Sequence, residues 1–139
     1  MSGPQVLPDD LVSAAIRVRE NAHAPYSRFK VGAAILGESG RVFLGANVEN
    51  AAYPQGHCAE ASAIGAMIAA GDRRIRAVAV VGGEAGGDLC TPCGGCRQRI
   101  REFAADDVPI HIGDAGGLRR TFTLGELLPY SFGPTNLSF

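Results

Sequence analysis

The chain has 139 residues, of which 46% are hydrophobic and 19% charged, a globular composition long enough to bury a core without disulfide staples. A net charge of −1 argues against a nucleic-acid surface, since the only dense basic runs, "DRRIR" (72–76) and "LRR" (118–120), are short and balanced by acids. The opening "MSGPQVLPDD" lacks a signal peptide's basic flank and apolar run, and no apolar stretch approaches the roughly 18 residues of a membrane span. The expectation is one domain over residues 1–139, soluble and cytoplasmic, whose four cysteines are reduced thiols or metal ligands.

In chain order, Pro8, Asp9 and Asp10 open a helix whose apolar Leu11, Ala14, Ala15, Val18 and Ala22 recur at helical spacing, with Pro25 as its stop. "FKVGAAILG" and "RVFLGANV" read as two strands of a hairpin, with Gly40 in the turn. The loop "NAAYPQGH" leads into a helix that begins near Cys58 and is closed by Gly71. "AVAVVGG" (77–83) is a continuous apolar strand of the buried kind. The loop "EAGGDLCTPCG" follows, then a helix through "CRQRIREFAA", a strand "VPIHIG", a weaker strand near "RTFTL" and a short helix at "GELL". The order α-β-β-α-β-α-β-β predicts an α/β fold, a three-layer α/β/α sandwich around a mixed sheet of about five strands.

Three cysteines fall in "CTPCGGC" (Cys90, Cys93, Cys96) and one, Cys58, stands two residues before Glu60 in "CAE". Isolated cysteines are commonly small core hydrophobes, but three within seven residues of a Gly-rich loop point to metal or redox chemistry. Cys58, Cys93 and Cys96 lie at or near predicted helix starts, where the helix dipole favours the thiolate that binds metal. Zinc suits such a set, and a catalytic zinc keeps three protein ligands and one open position. A fourth thiolate, Cys90, would instead close the site as structural zinc or fit an iron–sulfur cluster. Glu60 separates the two readings. A closed four-thiolate site has no use for a carboxylate, whereas an open zinc site that activates water needs a proton carrier beside it. A non-ligand Glu beside a "PCxxC" zinc set is the pattern of the zinc deaminases, in an all-cysteine form.

With "PYSRFKVGAAI" (25–35), "GANVENAAYPQGHCAE" (45–60), "TPCGGCRQ" (91–98) and "LLPYSFGP" (127–134) in order, the sequence closely resembles the small homotetrameric, zinc-dependent cytidine deaminases. The resemblance implies their α/β/α sandwich, one zinc per chain, and hydrolysis of cytidine and deoxycytidine to uridine and deoxyuridine in pyrimidine salvage. It assigns Cys58, Cys93 and Cys96 to the metal and Glu60 to the proton shuttle. It also assigns Asn47 and Glu49 to the ribose hydroxyls, Phe29 and Tyr53 to the nucleoside pocket, Ala59 to a backbone contact with the pyrimidine, and Phe132 to a neighbouring subunit's pocket. Read on their own, the two phenylalanines suit packing roles as well. Asn47 and Glu49, polar at alternate positions after an apolar strand, share one face and lean functional.

Two departures stand out. Many relatives carry Arg after "CAE", offsetting thiolate charge, where this chain has Ala61; Arg97 or the helix dipoles are then expected to compensate. Cys90 is an additional cysteine, taken as a non-ligand near the site. Three other classes compete with the deaminase of free cytidine: a deaminase of another aminopyrimidine nucleoside such as a nucleoside antibiotic, a polynucleotide-editing deaminase, and a non-catalytic four-cysteine zinc or iron–sulfur module. The polynucleotide class would need a basic groove that a net charge of −1 does not supply.

Overall fold

The computed structural model describes residues 5–137; residues 1–4, where the stretch read for a signal peptide begins, lie outside it. Its elements are α1 (Pro8–Arg19), β1 (Val31–Gly37), β2 (Val42–Ala46), α2 (Ala59–Ala70), β3 (Ile75–Gly82), α3 (Gly94–Arg101), β4 (Pro109–Asp114), β5 (Gly117–Thr123) and α4 (Leu124–Leu127), with single 3₁₀ turns at Tyr53–Gln55 and Pro134–Asn136. The five strands form one mixed sheet in the order β2-β1-β3-β4-β5. Only β3 and β4 are parallel, because α3 crosses over between them; the other pairs are antiparallel.

Alternation along the strands sorts the core into two faces. Ala33, Ile35, Val78, Val80, Ile110 and Ile112 pack against α2, α3 and α4 through Ala63, Met67, Ile100 and Leu124. Ala34, Ala77, Ala79 and Val81 point the other way and receive Leu11, Val12, Ala14 and Ala15 of α1. Alanines on this second face let a single helix approach closely, while the branched side chains opposite fill the wider space beneath α2 and α3. Helices on both faces match the predicted sandwich. His111, on the α1 face of β4, is buried with its Nδ1 2.8 Å from the Thr121 hydroxyl, a satisfied core residue.

Two helices end earlier than periodicity suggests. α1 stops at Arg19 because the next residues are drawn into a bridge with the strand-end segment: the His23 N–H donates to the Asn47 carbonyl and the Glu49 N–H to the His23 carbonyl. α3 ends at Arg101, where the Phe103 carbonyl accepts the Ile75 N–H at the start of β3. The hairpin turn and the end of α2 follow expectation. Gly40 (φ 89°) and Gly71 (φ 102°) both hold the left-handed conformation that glycine adopts without strain.

The start of α2 lies directly on β2. A Cβ added to Gly45 would stand 2.3 Å from the Ala59 carbonyl oxygen and 2.4 Å from the Ala63 nitrogen. At the far edge of the sheet, β5 is exposed along Leu118–Thr121 and carries Arg119 and Arg120, the latter with its guanidinium 4.4 Å from the Phe122 ring centroid.

Candidate active site

α2 begins where the chain leaves an antiparallel bridge between Val48 and His57. Cys58 is its N-cap in extended conformation (φ −71°, ψ 155°), so its side chain sits at the positive end of the helix. Ala59 and Glu60 form the first turn and are buried, Glu60 at 4% exposure. That burial pushes the Glu60 carboxyl above the usual carboxylate range, while its own backbone N–H and the charge of Arg99 pull the other way. A carboxyl in such surroundings is poised to hold and release a proton.

The loop after β3 delivers the other thiols. Cys93 is the N-cap of α3 (φ −64°, ψ 165°), and Cys96 lies in the first turn of that helix, fully buried. The Sγ atoms of Cys58, Cys93 and Cys96 lie within 4.8 Å of one another, with Cys58 and Cys93 3.8 Å apart. Two sulfurs at about 2.3 Å from a tetrahedral zinc stand about 3.8 Å apart, so this spacing fits the ion. Burial pushes the Cys96 and Cys58 thiols up, and the Glu60 charge adds to Cys96; the Cys96 amide holds Cys93 below the ordinary thiol value. A divalent cation among such thiols is what brings all three to the anionic form. No fourth Cys, His or carboxylate joins the cluster among the described residues, which leaves one coordination position open. Cys90 stands outside the set, so a closed four-thiolate module is not what the geometry provides.

A cleft of about 370 Å³ opens over these groups, lined by Phe29, Asn47, Glu49, Tyr53, Ala59 and Glu60 together with Cys58 and Cys93. Its volume falls within the ordinary range for small-molecule sites. Asn47 and Glu49 also build its rim. Asn47 accepts from the Val31 N–H through Oδ1 and donates to the Phe29 carbonyl through Nδ2, both at 2.8 Å. Glu49 Oε1 accepts the Tyr26 and Ser27 N–H groups at 3.0 Å, and Oε2 accepts the Ser27 hydroxyl. These bonds hold the Glu49 carboxyl below its ordinary pKa, the Ser27 hydroxyl contributing most. They also hold Arg28 in the left-handed region (φ 59°), a conformation costly for a residue with a Cβ, and so present Phe29, 46% exposed, to the cleft. Tyr53 stands edge-on to Tyr26, with ring centroids 5.7 Å apart.

Two of the residues singled out from the sequence lie elsewhere. The Arg97 guanidinium donates to the Pro92 carbonyl at 2.7 Å, the Leu127 carbonyl at 2.8 Å and the Thr91 hydroxyl at 3.0 Å, tying the cysteine loop to α4. Phe132, 57% exposed, lies on the carboxyl-terminal tail against α3, with its carbonyl accepting from Gln98 Nε2 at 2.8 Å, and does not line its own chain's cleft. Sequence reasoning missed three contributors. Ser27 orders the Glu49 carboxylate, Thr91 lines the cleft wall beside Cys90, which was expected near the site, and Arg99 donates to Cys96 Sγ at 3.6 Å. The signal for Arg99 was its place three residues after Cys96, on the same helix face.

A family model described as the cytidine and deoxycytidylate deaminase zinc-binding region matches residues 7–112. The chain is 38% identical to a cytidine deaminase of Sporosarcina psychrophila, over 94% of this chain and 95% of that one. It is 42% identical to a cytidine deaminase of Halalkalibacterium halodurans, over 88% and 91% respectively. The crystal structure of a cytidine deaminase from Burkholderia pseudomallei superposes with a TM-score of 0.81 at 44% identity, covering 88% of this chain and 96% of that one. Three thiols gathered at two helix starts beside a buried glutamate, on a fold shared with these proteins, place the chain in the zinc-binding cytidine and deoxycytidylate deaminase family.

Proposed function

We propose that this protein, as a single domain over residues 1–139, hydrolyses free cytidine and deoxycytidine to uridine and deoxyuridine with release of ammonia. The observation that carries the reading is the buried Glu60 carboxyl in the same cleft wall as the Cys58, Cys93 and Cys96 cluster. The relatives named cytidine deaminase, matched over nearly their full length, support it.

Cys58, Cys93 and Cys96 would hold the zinc, and the chemistry it would supply there is to acidify water near neutral pH. Glu60 takes a proton from the attacking water and delivers it to ring N3, which makes C4 electrophilic. The water oxygen bonds to C4, Glu60 carries the second proton to the exocyclic amine, the C4–N bond breaks, and ammonia leaves behind the uridine carbonyl. Asn47 and Glu49 face the ribose hydroxyls, Phe29 and Tyr53 wall the cleft, and the Ala59 backbone meets the pyrimidine. Phe132 serves a neighbouring chain. Its exposure on a tail anchored through Gln98, outside its own cleft, supports a homotetramer with shared sites. The setting is pyrimidine salvage in the cytoplasm; among the described residues no helix is long and apolar enough to cross a membrane.

The test follows ultraviolet absorbance and ammonia as cytidine is added to zinc-loaded protein, with Glu60→Gln as control. Wild type should yield one uridine and one ammonia per cytidine. The variant should keep its zinc and lose turnover by about 10²–10⁴-fold. A folded, zinc-loaded wild type that leaves cytidine unchanged would refute the proposal.

A further inference from the structure

The ligand set carries more negative charge than its metal offsets. Three thiolates around one zinc ion leave a net charge of about −1, before the nearby Glu60 carboxylate is counted. Position 61, immediately after "CAE", is Ala and supplies no cation. Arg97 has its guanidinium committed to two carbonyls and a hydroxyl. Among the described residues, the side-chain cation hydrogen-bonded to a thiol of the set is Arg99, whose Nη1 lies 3.6 Å from Cys96 Sγ.

The path of this side chain is built into α3. Arg99 follows Cys96 by three residues, so it reaches back along the same helix face toward the N-terminus. It crosses the helix at Gly95, where a Cβ would stand 3.2 Å from Arg99 Nη1 and 3.9 Å from Cys93 Sγ. A bare glycine between the second and third ligands thus leaves room for the guanidinium to reach the Cys96 sulfur. The same charge acts on Glu60, pulling against the effect of burial there.

From this geometry, and on the assignment of Cys58, Cys93 and Cys96 as the zinc ligands, we infer that Arg99 is a positioning residue of the metal centre. It donates to the Cys96 sulfur and supplies the positive charge that lets three thiolates share one zinc ion. Hydrogen-bond partners of metal ligands are typically worth about 10–100-fold in metal affinity, and the exposure of Arg99 to solvent puts it near the lower end.

The experiment compares wild type, Arg99→Gln and Arg99→Lys. Zinc retention is measured by competition with a chromogenic chelator, and sulfur-to-metal absorption is recorded on the cobalt-substituted proteins. Arg99→Gln should hold zinc about tenfold less tightly, and its charge-transfer band should move to longer wavelength as Cys96 loses a charged donor. Arg99→Lys, which keeps the charge, should recover most of the retention. Equal retention in all three proteins, an unmoved cobalt band in Arg99→Gln, or a Lys variant as weak as the Gln variant would overturn the inference. Zinc held undiminished by Cys96→Ala would overturn the ligand set itself, and this inference with it.

Discussion

Replacing Gly45 by alanine tests whether the packing of α2 on β2 sets the position of Cys58 and Glu60. The added methyl would fall 2.3 Å from the Ala59 carbonyl oxygen and 2.4 Å from the Ala63 nitrogen, where ordinary contact begins at 3.4 Å. Both obstacles are backbone, so no side chain can rotate aside, and α2 must withdraw by about 1 Å at its first turns. Overpacking of this kind typically costs about 1–3 kcal/mol, and an immovable neighbour argues for the upper end. With an unfolding entropy of about 2 cal/mol/K per residue over this chain length, 3 kcal/mol lowers the thermal midpoint by about 10 °C. The functional cost is larger. Cys58 caps the displaced helix and Glu60 lies in its first turn, while Cys93 and Cys96 belong to α3 and stay in place. A displacement of about 1 Å between reacting groups is worth about 10²-fold in turnover. Calorimetry, metal analysis and steady-state kinetics on Gly45→Ala should show a lower midpoint, weaker zinc retention and a kcat reduced by about two orders of magnitude. A variant with wild-type midpoint and kcat would mean that α2 is not seated by this contact.

Cys90→Ser should keep zinc and most activity, since Cys90 lines the cleft outside the ligand cluster, whereas Cys58→Ala, Cys93→Ala and Cys96→Ala should each lose both; metal analysis of the four proteins decides. Reassembling Phe132→Ala with Glu60→Gln should restore activity in mixed oligomers if Phe132 serves a neighbour's site, and only the sum of the separate residual activities, despite proven subunit exchange, would exclude it. Asp72, buried at the end of α2, accepts the Ser39 hydroxyl at 2.5 Å and lies 3.5 Å from Arg41, and the Ser39 bond above all holds its carboxyl below the ordinary value. A depressed native pKa adds stability that is present above the unfolded pKa and lost as pH falls through the native one. Asp72→Asn should therefore lower the thermal midpoint at pH 7 and converge on wild type in acid; a gap that stays constant down to pH 3 would contradict this linkage.

The elements were legible because each carried its own periodicity and punctuation. Strand alternation sorts Ala33 and Ile35 from Ala34, and Gly40 and Gly71 stand where left-handed backbone is needed. The end of α1 was not legible, since nothing local to 20–24 reveals that His23 will bridge to Val48. The cysteine cluster could be anticipated from spacing and helix starts, but not which cation attends it. Arg97 and Arg99 are two residues apart on α3 and face different sides of it. The rotation of that helix about its axis, fixed by burial of Cys96 and Ile100, directs Arg97 toward the Leu127 carbonyl and Arg99 toward sulfur. Asn47 and Glu49 gave a shared face from their alternation, while their bonds to residues 26–31 depend on the tertiary path of that segment.

The outer strand β5 bears on how this protein behaves at high concentration. An unpaired strand edge is a template on which another chain can add a strand, and a net charge of only −1 offers little repulsion between molecules. Here the edge is guarded locally. Arg120 puts a charge where a second copy would have to lay its own, and its guanidinium over Phe122 covers an aromatic that would otherwise be sticky, while Arg119, on the opposite face, is paired with Asp114 at 3.4 Å. Neutralising Arg120 would leave Leu118 and Phe122, on the same face of β5, as a bare apolar rim, and colloidal stability would then rest on the weak overall charge.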